Sequence, residues 1–239
     1  SPFLPKTCSP ALILLEWPQL IFLGLTQVEH IYYEQPANEF LRACLRLEHC
    51  LEQTTYYINN TAKWDSRHAI TAIIDTLQLL DRPDLKSKLS QECHRLLECL
   101  NKVRQTPGVD QHKLAVTVHN LDDSITYLST LNGKFAAPLR ENYFIEHIRQ
   151  MMQGMLCPLD SPAFHYWLSL TPETRINHLI AWQAHFAPSL KVIKLILRLI
   201  RHSQTSKTLH TEAGFYQQSM EATQQAPWQL IRVGIPHDL

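Results

Sequence analysis

The sequence predicts a mainly helical α+β protein, in which a helical bundle domain is joined to a small antiparallel β domain. Apolar residues recur at intervals of three and four through most of residues 34–202, which places them on one face of successive α-helices. Fourteen prolines against six glycines favour helices separated by proline-containing connections over a glycine-rich nucleotide-binding fold. Short segments rich in aromatic and β-branched residues flank this region, as is typical of strands.

The composition indicates a globular chain with no overall charge. Its 239 residues include 22 Lys and Arg and 22 Asp and Glu, and 45% are hydrophobic, which is enough to bury a core. A neutral chain argues against a protein whose main task is to grip a nucleic acid backbone, so no nucleic-acid partner is expected. The six cysteines include no C-x-x-C pair, which predicts reduced thiols in a cytoplasmic protein.

The first helix is predicted over residues 34–53, with Pro36 in its first turn. Its inward-facing positions are Phe40, Leu41, Cys44, Leu45, Leu47 and Leu51. On the other side, Arg42, Arg46 and His49 stand at i, i+4 and i+7 and form a basic ridge. This ridge is either a solvated surface or a docking strip for an acidic partner.

Later helices follow with short connections, as expected for a bundle of antiparallel helices. They are predicted over 67–80, 84–105, 111–131, 138–154, 173–186 and 188–202. Asp65 or Ser66 is expected to cap the first of these, and Asp110 the helix at 111–131. Thr171 is expected to cap the helix at 173–186, with Pro172 in its first turn.

Strands are predicted over 28–33 and 164–170 and in two later segments, GFYQQSM and WQLIRVGI. They are expected to pair with one another because an isolated hairpin is only marginally stable. The predicted domains are a mainly helical one over 28–155, whose N-terminal strand joins the β domain, and a second over 156–239. The second domain contains the β strands and two helices that pack on the bundle.

Residues 1–27 do not follow this pattern. Residues 11–25 are strongly apolar, but about 15 residues are fewer than the roughly 20 that span a bilayer. Glu16 and Pro18 interrupt the segment. It is interpreted as an interfacial anchor, as an element docked on the body, or as sequence upstream of the natural start. The last is favoured, so no stable membrane insertion is expected.

The helix at 188–202 carries a second basic stripe, formed by Lys191, Lys194, Arg198 and Arg201. One interpretation is a core helix whose single solvated stripe is polar. The alternatives are an acidic partner or an anionic membrane surface. The wide apolar arc argues against a helix that lies on a membrane.

The sequence contains no recognisable catalytic or metal-binding motif. Cys157, Asp160 and His165 lie close together in the chain, but the members of a catalytic triad are brought together by the fold rather than by sequence. No P-loop, G-x-G-x-x-G, G-x-S-x-G or H-E-x-x-H motif occurs. The prediction is a protein that is not an enzyme and that uses no cofactor or metal.

The chain contains, in this order, the segments YEQPANEFLRACLRLEH, PGVDQ, LREN, FHYWLSL with TPETR, LILRLIRHS and GFYQQ. Together, in their order and spacing, they resemble the ZapD family of bacterial cell-division proteins. The resemblance begins at about Val28, and the hydrophobic segment before it has no counterpart in the family pattern. The chain is also interpreted as stopping before the final strand segment that the family usually has.

The resemblance implies a cytoplasmic, non-enzymatic homodimer at the division septum. Such a protein would bind the C-terminal tail of the tubulin-like GTPase FtsZ in a positively charged pocket and cross-link FtsZ filaments into bundles at the Z-ring. The positions that match the family's site are Arg46 and His165, with Arg42, Arg140 and Arg149 as additions. Tyr143 replaces a further basic residue of some members. The alternatives are a helical module for another acidic partner, such as nucleic acid, and an enzyme that uses Cys157 or His165.

Overall fold

The protein is described by a computed structural model that covers residues 30–104, 108–152, 161–203, 207–209, 215–217 and 229–236. The fold is mainly helical α+β, as the sequence predicts. Its elements are β1 (His30–Pro36), α1 (Glu39–Ile58), α2 (Lys63–Leu80), α3 (Leu85–Val103), α4 (Gln111–Thr130), α5 (Ala137–Arg140), α6 (Tyr143–Met151), α7 (Pro162–Ser169), α8 (Pro172–Ala184), α9 (Ala187–Arg201) and β2 (Leu230–Pro236). Among these residues, no helix combines the length and the apolar character needed to cross a bilayer.

The buried side of α1 is the predicted one, but its start is not. Leu41, Cys44, Leu47 and Leu51 are buried, and this face packs on α2. The chain remains extended through Pro36, which ends β1 and is not in the first turn of α1. The side chain of Asn38 caps α1 by accepting a hydrogen bond from the Leu41 amide at 2.8 Å.

Two of the three predicted caps are confirmed. The Asp110 carboxylate accepts hydrogen bonds from the amides of His112 and Lys113, both at 3.1 Å. The Thr171 hydroxyl caps α8, which begins at Pro172. The cap predicted at Asp65 or Ser66 is wrong, because α2 begins at Lys63 and both residues lie inside its first turn.

The helix predicted over 138–154 is divided into α5 and α6. The side chain of Asn142 accepts a hydrogen bond from the Ile145 amide at 3.1 Å and so starts a new helix after the short α5. The predicted end at Gly154 lies outside the described residues.

The strand predicted over 164–170 is wrong, because these residues belong to α7. The hydroxyl of Ser161 accepts a hydrogen bond from the Phe164 amide at 3.2 Å, which caps a helix whose first residue is Pro162. Phe164, Trp167 and Leu168 are buried at the i, i+3, i+4 spacing of a helix face. The aromatic content therefore reflects a core-facing helix, not a strand.

The described sheet consists of β1 and β2, paired antiparallel with Tyr33 opposite Val233. The strand predictions near Tyr33 and in WQLIRVGI are therefore confirmed. Of the GFYQQSM segment only residues 215–217 are described, and they belong to neither strand. The sheet lies beside α1 and α9.

An arginine on α9 attaches the sheet to the helices. The Arg201 guanidinium donates hydrogen bonds to both oxygens of Glu34 on β1, at 2.8 and 2.7 Å, and to both oxygens of Glu48 on α1, at 3.0 and 2.6 Å. Arg232 on β2 pairs with Glu34 at 3.2 Å and stacks on the Tyr32 ring. Bidentate arginine–carboxylate pairs of this kind fix orientation as well as distance.

A second polar network joins the start of β2 to α3. The side-chain amide of Gln229 donates to Glu92 at 3.0 Å and its oxygen accepts from Arg95 at 3.2 Å. The Gln229 carbonyl also accepts a hydrogen bond from the Ala37 amide at 2.9 Å. These hydrogen bonds therefore fix the end of the sheet at which β1 ends and β2 begins, and attach it to α3.

A buried arginine fastens α7 and α8 to the start of α2. Arg175 is only 2% exposed, and its guanidinium donates hydrogen bonds to the Ser66 hydroxyl at 3.0 Å and to the Thr61 carbonyl at 2.8 Å. It also donates to the carbonyls of Leu168 and Leu170. The Arg175 side chain therefore donates to four oxygens from two distant segments of the chain, 61–66 and 168–170.

The prediction of reduced cysteines agrees with the described residues, where Cys44, Cys50, Cys93 and Cys99 are present as thiols and not as disulfides. Burial raises the pKa of Cys44 and of Cys93 to about 12, and the charge of Glu92 adds to both shifts. Cys8 and Cys157 lie outside the described residues.

We therefore expect iodoacetamide at pH 8 to alkylate Cys99, which is half-buried, well before Cys44 and Cys93. A thiol with a pKa of about 12 is only about 0.01% thiolate at that pH, and the thiolate is the reactive form. Peptide mapping by mass spectrometry reads out each site, with urea-unfolded protein as the control in which all thiols react. Equal labelling of Cys44 and Cys99 in the folded protein would contradict the burial of Cys44.

Candidate functional site

The basic ridge predicted on α1 is exposed. Arg42 forms an ion pair with Glu39 at 2.9 Å and keeps 37% of its side-chain surface exposed. Arg46 and His49 are exposed, and Arg46 makes no hydrogen bond or ion pair with another described side chain. Arg46 is therefore the member of the ridge whose charge is most open to a partner.

Arg140 is held inside the fold. Only 15% of its side chain is exposed, and it pairs with Asp81 at 2.9 Å. The same guanidinium donates hydrogen bonds to the carbonyls of Phe135 and Leu77, at 2.8 and 3.2 Å. Lys134 reaches the same Asp81 oxygen at 3.3 Å. Arg140 therefore positions the connection between α4 and α5 and shares its carboxylate with a more exposed lysine.

Arg149 forms a bidentate pair with Glu146 on α6, with both hydrogen bonds at 2.8 Å. The hydrogen bonds from Arg149 hold the pKa of Glu146 below its ordinary value, with smaller contributions from Gln150 and the charge of Arg140. The Glu146 partner correspondingly raises the pKa of Arg149. About one third of each side chain remains exposed, so this pair stabilises the fold only weakly.

Arg140 and Arg149 lie on the neighbouring helices α5 and α6. The charge of Arg140 helps to lower the pKa of Glu146, and the charge of Asp81 helps to raise the pKa of Arg149. Lys134 joins this group through its pair with Asp81. The sequence does not reveal Lys134, because its pair with Asp81 depends on the fold of the α4–α5 connection.

His165 lies on α7 and is exposed. Its helix is fixed by packing of Trp167 against Phe144 of α6, with ring centroids 5.7 Å apart. His147 of α6 also contacts the Ser161 hydroxyl at 3.0 Å. His165 therefore stands on the helix next to the one that carries Arg149.

The basic stripe on α9 is largely a solvated stripe, which supports the first interpretation of its sequence. Lys191, Lys194 and Arg198 are exposed, whereas Arg201 is half-buried in its pair of carboxylates. Lys191 points towards α4, where it pairs with Asp123 at 3.6 Å.

Nothing in the described part of the chain assembles a metal site from three or more His, Cys, Asp or Glu side chains. Of the group Cys157, Asp160 and His165, only His165 is described. The candidate residues therefore lie on two sets of elements, with Arg42 and Arg46 on α1 and with Arg140, Arg149 and His165 on α5, α6 and α7. The fold that carries them is that of a mainly helical α+β protein.

The comparisons with known proteins agree with the resemblance. A family model, described as ZapD, cell division protein, matches residues 45–239, and the chain belongs to this family of cell-division proteins. Proteins named Cell division protein ZapD are similar to it over most of its length. The one from Coxiella burnetii (strain RSA 331 / Henzerling II) is 38% identical over 208 residues, which is 86% of this chain and 80% of that protein.

Two further relatives carry the same name. The protein from Dechloromonas aromatica is 30% identical over 210 residues, with 87% of this chain and 82% of the relative covered. The protein from Methylococcus capsulatus is 31% identical over 211 residues, with the same shares covered. These matches extend well beyond the short segments on which the resemblance rests.

Proposed function

We propose that this protein binds the C-terminal tail of FtsZ and, as a homodimer, cross-links FtsZ filaments into bundles at the Z-ring. Membership of a family of cell-division proteins supports a partner in division. The observation that supports a binding surface on this chain is the exposed charge of Arg46, which no other described side chain neutralises. In this proposal the protein is not an enzyme, and it acts in the cytoplasm at the division septum.

The five candidate residues have different proposed roles. Arg46 and His165 are exposed and are proposed to contact the tail directly. Arg42 and Arg149 are half-exposed in pairs with Glu39 and Glu146, and they are proposed to exchange these partners for tail carboxylates. Arg140, which is largely buried, is proposed to position the surface.

A two-fold dimer explains how a binder of one peptide cross-links filaments. A closed two-fold assembly displays two identical sites, and a filament offers many tails, so weak single contacts add up by avidity. Because such contacts depend on arginine charge, bundling is expected to weaken as salt is raised.

We expect Arg46→Glu to abolish co-sedimentation of the protein with FtsZ filaments in the presence of GTP, and to abolish the increase in pelleted bundles. The variant reverses the charge proposed to meet the acidic tail. Lys113→Glu is the matched control, since Lys113 is also exposed on a helix but lies on α4, outside the proposed surface.

Circular dichroism and thermal unfolding of both variants establish that they are folded. Undiminished co-sedimentation of Arg46→Glu would overturn its proposed role, and an unfolded variant would instead make Arg46 structural. Failure of the unaltered protein to increase pelleted FtsZ would overturn the proposed function itself.

A further inference from the structure

The sheet of β1 and β2 turns its charged side chains towards the helices. Glu34 and Arg232 stand opposite each other on this inner face, and Glu34 also pairs with Arg201 of α9. An antiparallel sheet that has one face in water normally has the opposite arrangement, with apolar side chains towards the core and polar side chains outside. Most of the large apolar side chains of this sheet lie instead on its outer face, away from the helices.

The outer face is a continuous apolar patch. The register places Ile31 opposite Ile235 and Tyr33 opposite Val233, and alternate residues of a strand point to the same face. Ile31 is 43% exposed, Tyr33 58% and Val233 49%. Adjacent large apolar side chains that are exposed together mark a contact site more often than a free surface. This outer apolar face consists of Ile31, Tyr33, Ile231, Val233 and Ile235, with Gln35 opposite Ile231.

Residues 11–25 of the same chain have the composition and the length to cover this face. Their sequence is ALILLEWPQLIFLGL, in which Glu16 is the one charged residue. Fifteen residues extend about 22 Å even as a helix. Each strand of the sheet has seven residues, which extend about 23 Å. The segment is therefore long enough to cover the sheet from end to end.

The segment is also attached at the edge of the face. Residues 26–29 join Leu25 to His30, the first residue of β1, and four residues extend about 14 Å at most. Neighbouring strands are about 4.8 Å apart, so this tether reaches across both strands. A tether this short gives the segment an effective concentration in about the millimolar range at the sheet. It therefore favours the chain's own segment over a second copy of the chain as the occupant of the face.

We propose that residues 11–25 fold back on the sheet of their own chain and cover the outer apolar face. Of the interpretations of this segment, the proposal selects an element docked on the body. The driving force is the removal of apolar surface from water on both partners. The inference concerns the completion of the β sheet and does not depend on FtsZ.

The test is photo-cross-linking in the full chain, with Tyr33→p-benzoylphenylalanine and, separately, Val233→p-benzoylphenylalanine. Both side chains are about half exposed, so the larger ring is accommodated. We expect peptide mapping by mass spectrometry to find cross-links from both positions to residues 11–25. A mixture of isotope-labelled and unlabelled protein distinguishes cross-links within one chain from those between two copies, and we expect the former.

The matched control is Tyr166→p-benzoylphenylalanine. Tyr166 is a tyrosine of similar exposure, 68%, on α7, whereas the sheet lies beside α1 and α9. We expect no cross-link from this position to residues 11–25. Cross-links from Tyr166 as frequent as those from Tyr33 would overturn the proposal, because the segment would then have no preferred place on the protein.

A second variant tests the apolar character of the contact. We expect Leu20→Asp/Phe22→Asp to lower the yield of cross-links from Tyr33 by at least about tenfold, because two carboxylates would have to leave water to reach the face. Thr7→Asp/Ser9→Asp adds the same charge outside residues 11–25 and is expected to leave the yield unchanged. Circular dichroism establishes that both variants are folded. Equal losses in the two variants would overturn apolar docking and leave only a general charge effect.

Three other outcomes of the cross-linking would also overturn the proposal. Cross-links between labelled and unlabelled chains would show that a second copy covers the face. Cross-links to residues 210–228 would show that a different segment of the chain does so. The absence of any cross-link from both positions on the sheet would show that the face is open to water.

Discussion

Arg175→Ala is expected to lower the free energy of unfolding by about 3–5 kcal/mol, because it leaves buried oxygens without a donor. The Arg175 guanidinium serves the Ser66 hydroxyl and three backbone carbonyls. Thr61 and Ser66 lie at the start of α2 and Leu168 and Leu170 at the end of α7, so the substitution also releases α7 and α8 from α2. Urea denaturation followed by circular dichroism measures the change.

The control for this prediction is Arg198→Ala, which truncates an exposed arginine on α9 and is expected to change stability by less than about 0.5 kcal/mol. Arg175→Lys retains the charge but lacks the planar fork that reaches several acceptors, so most of the loss is expected to persist. A loss below about 1 kcal/mol for Arg175→Ala would contradict the bonding described for this site.

Arg201→Ala is expected to lower the free energy of unfolding by about 2–3 kcal/mol, because it leaves Glu34 and Glu48 close together without their shared cation. Both carboxylates are mostly buried, with 16% and 15% of the side chain exposed. The loss should be concentrated at the sheet, since Arg201 joins β1 to α1 and α9. Hydrogen exchange of the β1 and β2 amides, alongside urea denaturation, separates local from global loosening.

A double-mutant cycle with Glu48→Gln tests the pair directly. If Arg201 and Glu48 stabilise each other, the effect of Arg201→Ala is smaller in the Glu48→Gln background, with a coupling of about 1–2 kcal/mol. Arg149→Ala is the comparison, because its partner Glu146 is one third exposed and less than about 1 kcal/mol is expected. Additive effects of Arg201→Ala and Glu48→Gln would refute the coupling.

The spacing of residues along the sequence predicts those features of the fold that depend on a single helix. The buried face of α1 and the exposed stripe of α9 follow from the 3.6-residue period, and Asp110 and Thr171 cap where expected. The error at α7 has the same origin, because aromatic residues over eight positions fit a strand by composition and a helix by spacing. The burial of Phe164, Trp167 and Leu168, at positions i, i+3 and i+4, is the pattern of a helix and not of a strand.

The contacts between distant segments were not predictable. Spacing along the sequence groups Arg201 with Lys191, Lys194 and Arg198, and only the fold reveals that Arg201 contacts Glu34, far away in the chain. Arg175 appeared only as part of a family segment, although it is the most buried arginine of the described residues. At the candidate site, spacing predicted the exposure of Arg46 but not the burial of Arg140.

The pairing of β1 with β2 has a consequence for how the chain is made. Pro36 pairs with Leu230, so β1 leaves the ribosome long before its partner exists. At about 5–20 residues per second, the wait is about 10–40 s. Throughout that time the strand presents Ile31, Tyr32 and Tyr33 with unpaired backbone groups, which other nascent chains can capture. We expect the helices to fold first and the sheet to close last, since contacts this distant in sequence form slowly.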